Sequence, residues 1–211
     1  MKWETLLRAV ADLPYFEIET LKTLFPDTAH AIHVGLSRWK NAGKVIELRR
    51  GLYTLAEPWR RAPLHAPGVA YAMYPPSYLS LEWALSWYGM IPERSVTLTS
   101  VGTRATRSFS NTLGHFSYRT VKPSLFWGYR TELMKGLDVY LAEPEKALCD
   151  LWYLSSGDWT PERMLSHRFD PLVASESIED PSRLVQAVER FDSPRMYAAL
   201  DAWHDYARAS G

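Results

Sequence analysis

The chain has 211 residues, of which 46% are hydrophobic and 23% charged, a balance typical of a folded protein and not of a disordered one. Its formal net charge is zero, which excludes a chain that is basic throughout. The charge is unevenly distributed, because residues 1–62 carry +3, residues 92–135 carry +5 and residues 136–211 carry −7. Such asymmetry is typical of a protein with one surface for nucleic acid, and equally of a chain with a solvated acidic helical region.

The single cysteine, Cys149, excludes an internal disulfide and a multi-cysteine zinc site. Its neighbours in ALCDLWYL predict a buried thiol and not a nucleophile. The N-terminal MKWETLLRAV contains Glu4 and lacks the apolar core of a signal peptide, and no apolar run is long enough to span a bilayer. We therefore expect a cytoplasmic protein that does not enter a membrane.

The first helices are predicted from apolar spacing. In residues 3–12, Trp3, Leu6, Leu7 and Val10 recur at helical intervals, and the helix ends before Pro14. The stretch FEIETLKTLFP predicts a second helix that ends at Phe25-Pro26.

A third helix is predicted between residues 28 and 43. Asp27 or Thr28 can cap its start and Gly43 ends it. One side of this helix is an apolar stripe that we expect to be buried, formed by Ala29, Ile32, Leu36 and Trp39. The opposite side carries mostly polar residues of the types that read DNA grooves, namely His30, Val34, Ser37, Arg38 and Asn41, with His33 and Lys40 on its flanks.

A β-hairpin with a basic tip follows, because two β-type runs flank Arg49-Arg50-Gly51. Three helices followed by a hairpin have the element order of a winged helix-turn-helix, in which the third helix enters the major groove and the hairpin holds a phosphate backbone. Phosphate contacts are then expected from Lys44, Arg49 and Arg50, and base-edge contacts from His30, Ser37, Arg38 and Asn41. The alternative is a small packing unit whose charges are only a solvated face.

The prolines and missing periodicity of EPWRRAPLHAP predict a linker at residues 58–67, between a domain at residues 1–57 and a second domain at residues 68–211. In the second domain, two helical pieces are predicted on either side of Pro75-Pro76, with Ser77 capping the second. Five short stretches then predict one mostly antiparallel sheet: VTLTS, RATRSFSN, GHFSYRTV, SLFWGYR and LDVYLA. Four C-terminal helices are expected to start at a proline preceded by a cap residue, at Glu143-Pro144, Thr160-Pro161, Asp180-Pro181 and Ser193-Pro194. The predicted fold class is α+β.

From PSYLSLEWALSWYGMIPERSVTLTS through GHFSYRTV and LFWGY to AEPEKALCDLWYL, the chain resembles the AbiEi antitoxin family of type IV toxin–antitoxin systems, predicted transcriptional regulators linked to viral defence. The similarity covers about residues 15 to 155. It implies an N-terminal domain that represses its own operon, a C-terminal domain that neutralises a nucleotidyltransferase-like toxin, and no enzymatic activity. Carried over by position, the third helix and the wing imply DNA contacts from His30, His33, Ser37, Arg38, Lys40, Lys44, Arg49, Arg50 and Tyr53.

Arg104, Arg107 and Arg119 in the predicted sheet are candidates for a protein partner or for further DNA contacts. The alternative is that they are exposed arginines that keep strand edges from pairing with other chains.

A metal-dependent nuclease is the best enzyme alternative, with Asp138, Glu143, Glu145 and Lys146 as candidate residues. Their spacing does not match, because no acid is separated from Lys146 by just one position. We therefore interpret Glu143, Glu145 and Lys146 as charges at a helix start. His30 and His33 have no evident third metal ligand, and no phosphate-binding glycine loop is present, so we expect no metal, no cofactor and no catalysis.

Together these patterns predict a regulator that binds double-stranded operator DNA, with two copies on an inverted repeat. The alternative from another class is a protein-binding toxin neutraliser without DNA affinity.

Overall fold

The computed structural model describes residues 1–210, which form an α+β structure. Its helices are α1 (Trp3–Val10), α2 (Ile18–Leu24), α3 (Ala29–Asn41), α4 (Ala66–Met73), α5 (Leu81–Trp87), α6 (Pro144–Leu154), α7 (Pro161–Ser166), α8 (Pro171–Ser177), α9 (Pro181–Phe191) and α10 (Pro194–Ser210). Its strands are β1 (Phe16–Glu17), β2 (Val45–Arg49), β3 (Leu52–Leu55), β4 (Ser77–Leu79), β5 (Thr97–Gly102), β6 (Arg107–Asn111), β7 (Gly114–Thr120), β8 (Tyr129–Met134) and β9 (Leu137–Ala142).

The elements α1 to α3 and β1 to β3 form what we call the N-terminal unit. Its three strands pair in the order β1-β3-β2, and both pairings are antiparallel. The three predicted helices and the hairpin are confirmed, whereas the short strand β1 was not predicted. The helices and the sheet enclose an apolar cluster that includes Leu6, Leu21, Ile32 and Trp39.

The remaining elements, α4 to α10 and β4 to β9, form what we call the C-terminal unit. Its six-stranded sheet has the order β6-β7-β5-β4-β9-β8. Three of its pairings are antiparallel, while β5 pairs with β7 and β4 pairs with β9 in parallel. The sheet is therefore mixed, and the two parallel pairings lie among its inner strands.

The predicted cap at Ser77 is wrong, because Ser77, Tyr78 and Leu79 form a buried strand between β5 and β9. The helix starts later, after Ser80, once these side chains have entered the sheet. The predicted strand SLFWGYR is wrong over its first part, where Pro123–Leu125 form a 3₁₀ turn. Pro123, just before the predicted strand, begins this turn, because its fixed φ suits the first position of a helical turn.

The proline-led helix starts are confirmed at all four predicted positions. A fifth, unpredicted helix uses the same arrangement, because Asp170 precedes Pro171 and its side chain accepts hydrogen bonds from the Leu172 and Val173 amides. Part of the predicted linker is helical, since α4 begins at Ala66 with His65 as its cap.

The centre of the C-terminal unit holds a buried ion pair on α6. The Lys146 ammonium donates to Asp150 Oδ1, and both side chains are completely buried. The second oxygen, Asp150 Oδ2, accepts hydrogen bonds from the Tyr78 hydroxyl at 2.9 Å and the Ser80 hydroxyl at 2.8 Å. Burial raises the pKa of the Asp150 carboxyl, while Lys146 opposes that shift. The pair thus fixes α6 to β4 and to the start of α5. Cys149 beside it is buried, as predicted, and burial raises the pKa of its thiol.

Replacing Asp150 by Asn should lower the free energy of unfolding by about 3 to 5 kcal/mol, because Lys146 is left as an uncompensated buried charge. The double variant Lys146→Met/Asp150→Asn should lose less than the sum of the two single variants. Urea denaturation followed by circular dichroism measures these differences. The control is Asp205→Asn, which removes an exposed ion pair with Arg208 and should change stability by about 0.5 kcal/mol or less. A loss in Asp150→Asn no larger than in this control would contradict the central role of the pair.

Candidate nucleic-acid interface

The helix α3 has one buried and one exposed side, as its sequence predicts. Thr28 caps it by accepting a hydrogen bond from the Ala31 amide at 3.2 Å, and Ile32, Leu36 and Trp39 are buried. Ala29, in the first turn, is exposed and not part of the buried stripe. All the positions predicted on the other side are exposed. We call this surface the α3 face, and it consists of His30, His33, Val34, Ser37, Arg38, Lys40 and Asn41. No element of residues 1–210 covers it.

The charge of the α3 face is weakly positive. The Lys40 ammonium donates to Glu47 Oε2 at 2.6 Å, and this hydrogen bond raises the pKa of Lys40. The Arg38 guanidinium lies 5.5 Å from the centre of the Trp39 ring, and within residues 1–210 no carboxylate pairs with it. Arg38 is therefore the unneutralised guanidinium of this face.

The structure does not give Arg49 the outward position expected of a wing residue. Its Nε donates to the Met73 carbonyl at 2.8 Å, and its Nη2 donates to the Ala72 carbonyl at 3.0 Å and to Glu17 at 3.2 Å. The two carbonyls belong to the last turn of α4, whose terminal carbonyls lack partners within the helix and attract cations. Arg49 thus fastens the hairpin to the C-terminal unit.

Two other predicted contacts are also engaged within the molecule. Tyr53 is only 8% exposed, and its hydroxyl lies 3.4 Å from Glu47 Oε1, to which it donates. Burial and the Glu47 carboxylate raise the pKa of Tyr53. The Lys44 ammonium lies 4.9 Å from the centre of the Trp3 ring and 5.7 Å from that of Trp59. Tyr53 is thus a core residue of the hairpin, and Lys44 is seated on aromatic rings.

Arg50 is the remaining basic residue of the hairpin tip. It is exposed, and its carbonyl accepts a hydrogen bond from Arg49 Nη1 at 3.0 Å. Within residues 1–210, no carboxylate forms an ion pair with its guanidinium. Only one of the two tip arginines is therefore free to meet an anion.

The three arginines of the sheet region are exposed but do not form one patch by contact with each other. The Arg104 guanidinium lies 4.5 Å from the centre of the Tyr74 ring, and that of Arg107 lies 5.9 Å from the Phe109 ring. Arg119 donates to the Leu154 carbonyl at 2.8 Å. Arg107 begins the edge strand β6, a position where a charged side chain discourages pairing with another chain.

The nuclease candidates do not converge on one site. Asp138 is exposed on β9, while Lys146 is completely buried and paired with Asp150. Glu143 and Glu145 share Arg183, at 3.2 and 2.6 Å. The interpretation of Lys146 as a helix-start charge is therefore wrong. The four-residue spacing of Lys146 and Asp150 within an apolar helix was the signal for the pair.

Comparisons with known proteins add nothing to this geometry, because no family model and no curated protein matches the sequence. Within residues 1–210, no three His, Cys, Asp or Glu side chains are grouped so that they could hold a metal ion. The same residues include no helix with the length and apolar character needed to cross a bilayer. Function is therefore inferred from the exposed chemistry of the α3 face.

Replacing Arg49 by Ala should lower the free energy of unfolding by about 1.5 to 3 kcal/mol, because charge-assisted hydrogen bonds to the end of α4 are removed. Arg49→Lys should restore little of it, since an ammonium lacks the fork that reaches two carbonyls. The matched control is Arg50→Ala, which should stay within about 0.5 kcal/mol of the parent. Urea denaturation of the three variants provides the measurement, and equal effects at positions 49 and 50 would refute the fastening role.

Proposed function

We propose that this protein is a sequence-specific regulator that binds double-stranded DNA through the α3 face. The observation that carries the proposal is the uncovered, polar side of a 13-residue capped helix, whose opposite side is anchored in its own apolar core. An α-helix of this kind fits the major groove, where side-chain donors and acceptors distinguish base pairs.

We propose further that the N-terminal unit is a winged helix-turn-helix. Its element order, α1-β1-α2-α3-β2-β3, supports this assignment, as does the antiparallel sheet in which β3 lies between β1 and β2. In such a unit the helix that precedes the hairpin is the recognition helix. That position belongs to α3.

The residues of the α3 face divide into chemical roles. Ser37 and Asn41 offer hydrogen-bond donors and acceptors to base edges, and Arg38 offers the fork that recognises guanine. Val34 is 52% exposed and can contact a thymine methyl group. Arg50 and Lys40 would contact phosphates, with Lys40 exchanging Glu47 for the DNA backbone. Few phosphate contacts imply modest affinity for one copy, so two copies on an inverted repeat would be needed.

The resemblance to AbiEi antitoxins extends the proposal to an autorepressor in a type IV toxin–antitoxin pair, with a nucleotidyltransferase-like toxin as its partner. Cytoplasmic location follows from that role. Co-expression with a nucleotidyltransferase-like product of an adjacent gene tests this part separately. Relief of growth arrest by the protein, and not by its N-terminal unit alone, is the expected result.

Replacing Arg50 by Ala should weaken DNA binding and reduce the slope of log affinity against log salt concentration by about 1, because one phosphate contact is lost. Replacing Ser37, Arg38 or Asn41 by Ala should change which operator sequence is preferred, and the Ser37 and Asn41 variants should leave that slope unchanged. Fluorescence anisotropy titrations at several salt concentrations, on the chain's own promoter and on a scrambled duplex, measure both effects.

The matched control is Arg94→Ala, because Arg94 is exposed on the C-terminal unit. Its affinity and salt slope should equal those of the parent. If Arg94→Ala lowers the slope as much as Arg50→Ala does, binding is diffuse and the α3 face is not the interface. If no duplex binds at all, DNA recognition itself is refuted.

A second candidate is a toxin neutraliser without DNA affinity, and the position of Arg49 favours it. A hairpin whose tip is fastened to α4 and whose Tyr53 is buried has fewer free groups for a phosphate backbone. This candidate predicts co-purification with the toxin and no shift of the promoter duplex. The anisotropy titrations separate it from the regulator.

A further inference from the structure

A cavity of about 340 Å³ lies between the start of α6, the segment at residues 127–129 and one side of α9. It belongs to the C-terminal unit and takes no part in the α3 face. Its volume is at the lower end of the range of pockets that hold small molecules, about 300 to 1,000 Å³. Charged side chains line it on two sides: Glu143 immediately precedes α6 and Glu145 lies in its first turn, and Arg183 and Arg190 come from α9.

Two buried polar atoms on the residues that line this cavity lack a partner. Glu145 is only 3% exposed, and its Oε1 accepts from Arg183 at 2.6 Å, whereas its Oε2 has no hydrogen bond. The indole Nε1 of Trp127 is also buried without an acceptor. Leaving such a group unsatisfied is unfavourable, and more so when it is charged. The side chains that line the cavity therefore include one unsatisfied acceptor and one unsatisfied donor.

Arg190 adds an unpaired positive charge at the same place. Its guanidinium carbon lies 4.0 Å from the centre of the Trp127 ring, and within the described residues 1–210 no carboxylate is within ion-pair distance of it. Arg183 differs, because it is already shared by Glu143 and Glu145. An anionic group beside Trp127 could thus accept from both the Arg190 guanidinium and the indole N–H.

The segment at residues 127–129 forms one wall of the cavity, and it packs against Lys146 of the buried ion pair. The Lys146 ammonium lies 5.0 Å from the centre of the Trp127 ring. Gly128 has a positive φ of 70°, and a Cβ there would lie 3.0 Å from Lys146 Cγ, so the backbone runs directly over the lysine stem. Because this wall is held in place, Trp127 is positioned before a ligand arrives.

The balance of charge decides which class of ligand fits. Two carboxylates and two guanidinium groups line the cavity, so its formal charge is zero, and a polyanion or a polycation would meet as much repulsion as attraction. A ligand with one cationic donor and one anionic acceptor satisfies every unpaired group at once. That combination is a zwitterion, and a cavity of this volume can hold an amino acid.

We propose that this cavity binds a free α-amino acid, whose ammonium donates to Glu145 Oε2 and whose carboxylate accepts from the Trp127 indole N–H and the Arg190 guanidinium. The carboxylate and ammonium are the recognised groups. This assignment is independent of DNA binding and holds whether or not the regulator proposal is correct.

The test is a thermal-unfolding and calorimetric titration of the full chain with each standard L-amino acid. At least one should raise the unfolding temperature and give saturable binding heat. The same amino acid with its nitrogen acetylated, and its methyl ester, should each bind about tenfold to a hundredfold more weakly, because each lacks one recognised charge. These analogues leave the protein unchanged, so the comparison does not depend on a variant that folds.

Two variants assign the site. Glu145→Gln keeps an acceptor for Arg183 but removes the negative charge, and Arg190→Gln removes the carboxylate contact. Each should weaken binding about tenfold or more, with Arg94→Gln, an exposed arginine outside the cavity, as a control whose affinity stays at the parent level. No binding by any standard amino acid, or equal binding of the acetylated and esterified analogues, overturns the proposal. So does undiminished affinity in both Glu145→Gln and Arg190→Gln.

Discussion

The buried ion pair of Lys146 and Asp150 is the interaction on which the C-terminal unit depends. Each charge taken from water alone costs several kcal/mol, and the cost is offset only when the partner and the remaining hydrogen bonds are all in place. Asp150 reaches that condition because Tyr78 and Ser80 donate to its second oxygen. The three elements that supply these groups, α6, β4 and the turn before α5, must therefore form together. We infer that the pair specifies which face of β4 turns toward α6, since a slip of one residue would move Tyr78 to the other side of the sheet.

The same lysine links the core to the cavity. Its stem supports Gly128 and its ammonium faces the Trp127 ring, so the residues that give the cavity one unsatisfied donor are positioned by a group that never contacts solvent. On the opposite wall, Arg183 holds Glu143 and Glu145 together and leaves one Glu145 oxygen free. A fully paired set of charges would make a structural network. This set leaves an acceptor on Glu145 and donors on Trp127 and Arg190 without partners, as the proposed binding site requires.

Local signals in the sequence predicted the elements that depend on local chemistry. The cap at Thr28, the stop after α3 and the proline-led starts of α6, α7, α9 and α10 each involve residues within one helical turn, and all are confirmed. The failures involve distant partners. Tyr78 is a strand residue only because β5 and β9 lie on either side of it. Lys146 is buried only because Asp150 accepts its hydrogen bond, while Tyr78 and Ser80 donate to the other oxygen of Asp150. The exposed side of α3 could be predicted from its periodicity. The contacts of Arg49 at the hairpin tip could not, because they are made with α4, which is distant in sequence.

That tip limits how the N-terminal unit can meet DNA. Arg49 saturates the last carbonyls of α4, and Asn111 donates to the Leu48 carbonyl at 3.0 Å, so the hairpin is held to the C-terminal unit at two points. Moving Arg49 to a phosphate would leave those carbonyls of α4 without donors, a cost that a solvent-exposed phosphate contact does not offset. In the proposed DNA complex, the α3 face would therefore bind while the hairpin stays fastened to α4. In the proposed DNA complex, the phosphate contacts that one hairpin does not supply would come from a second copy on an inverted repeat.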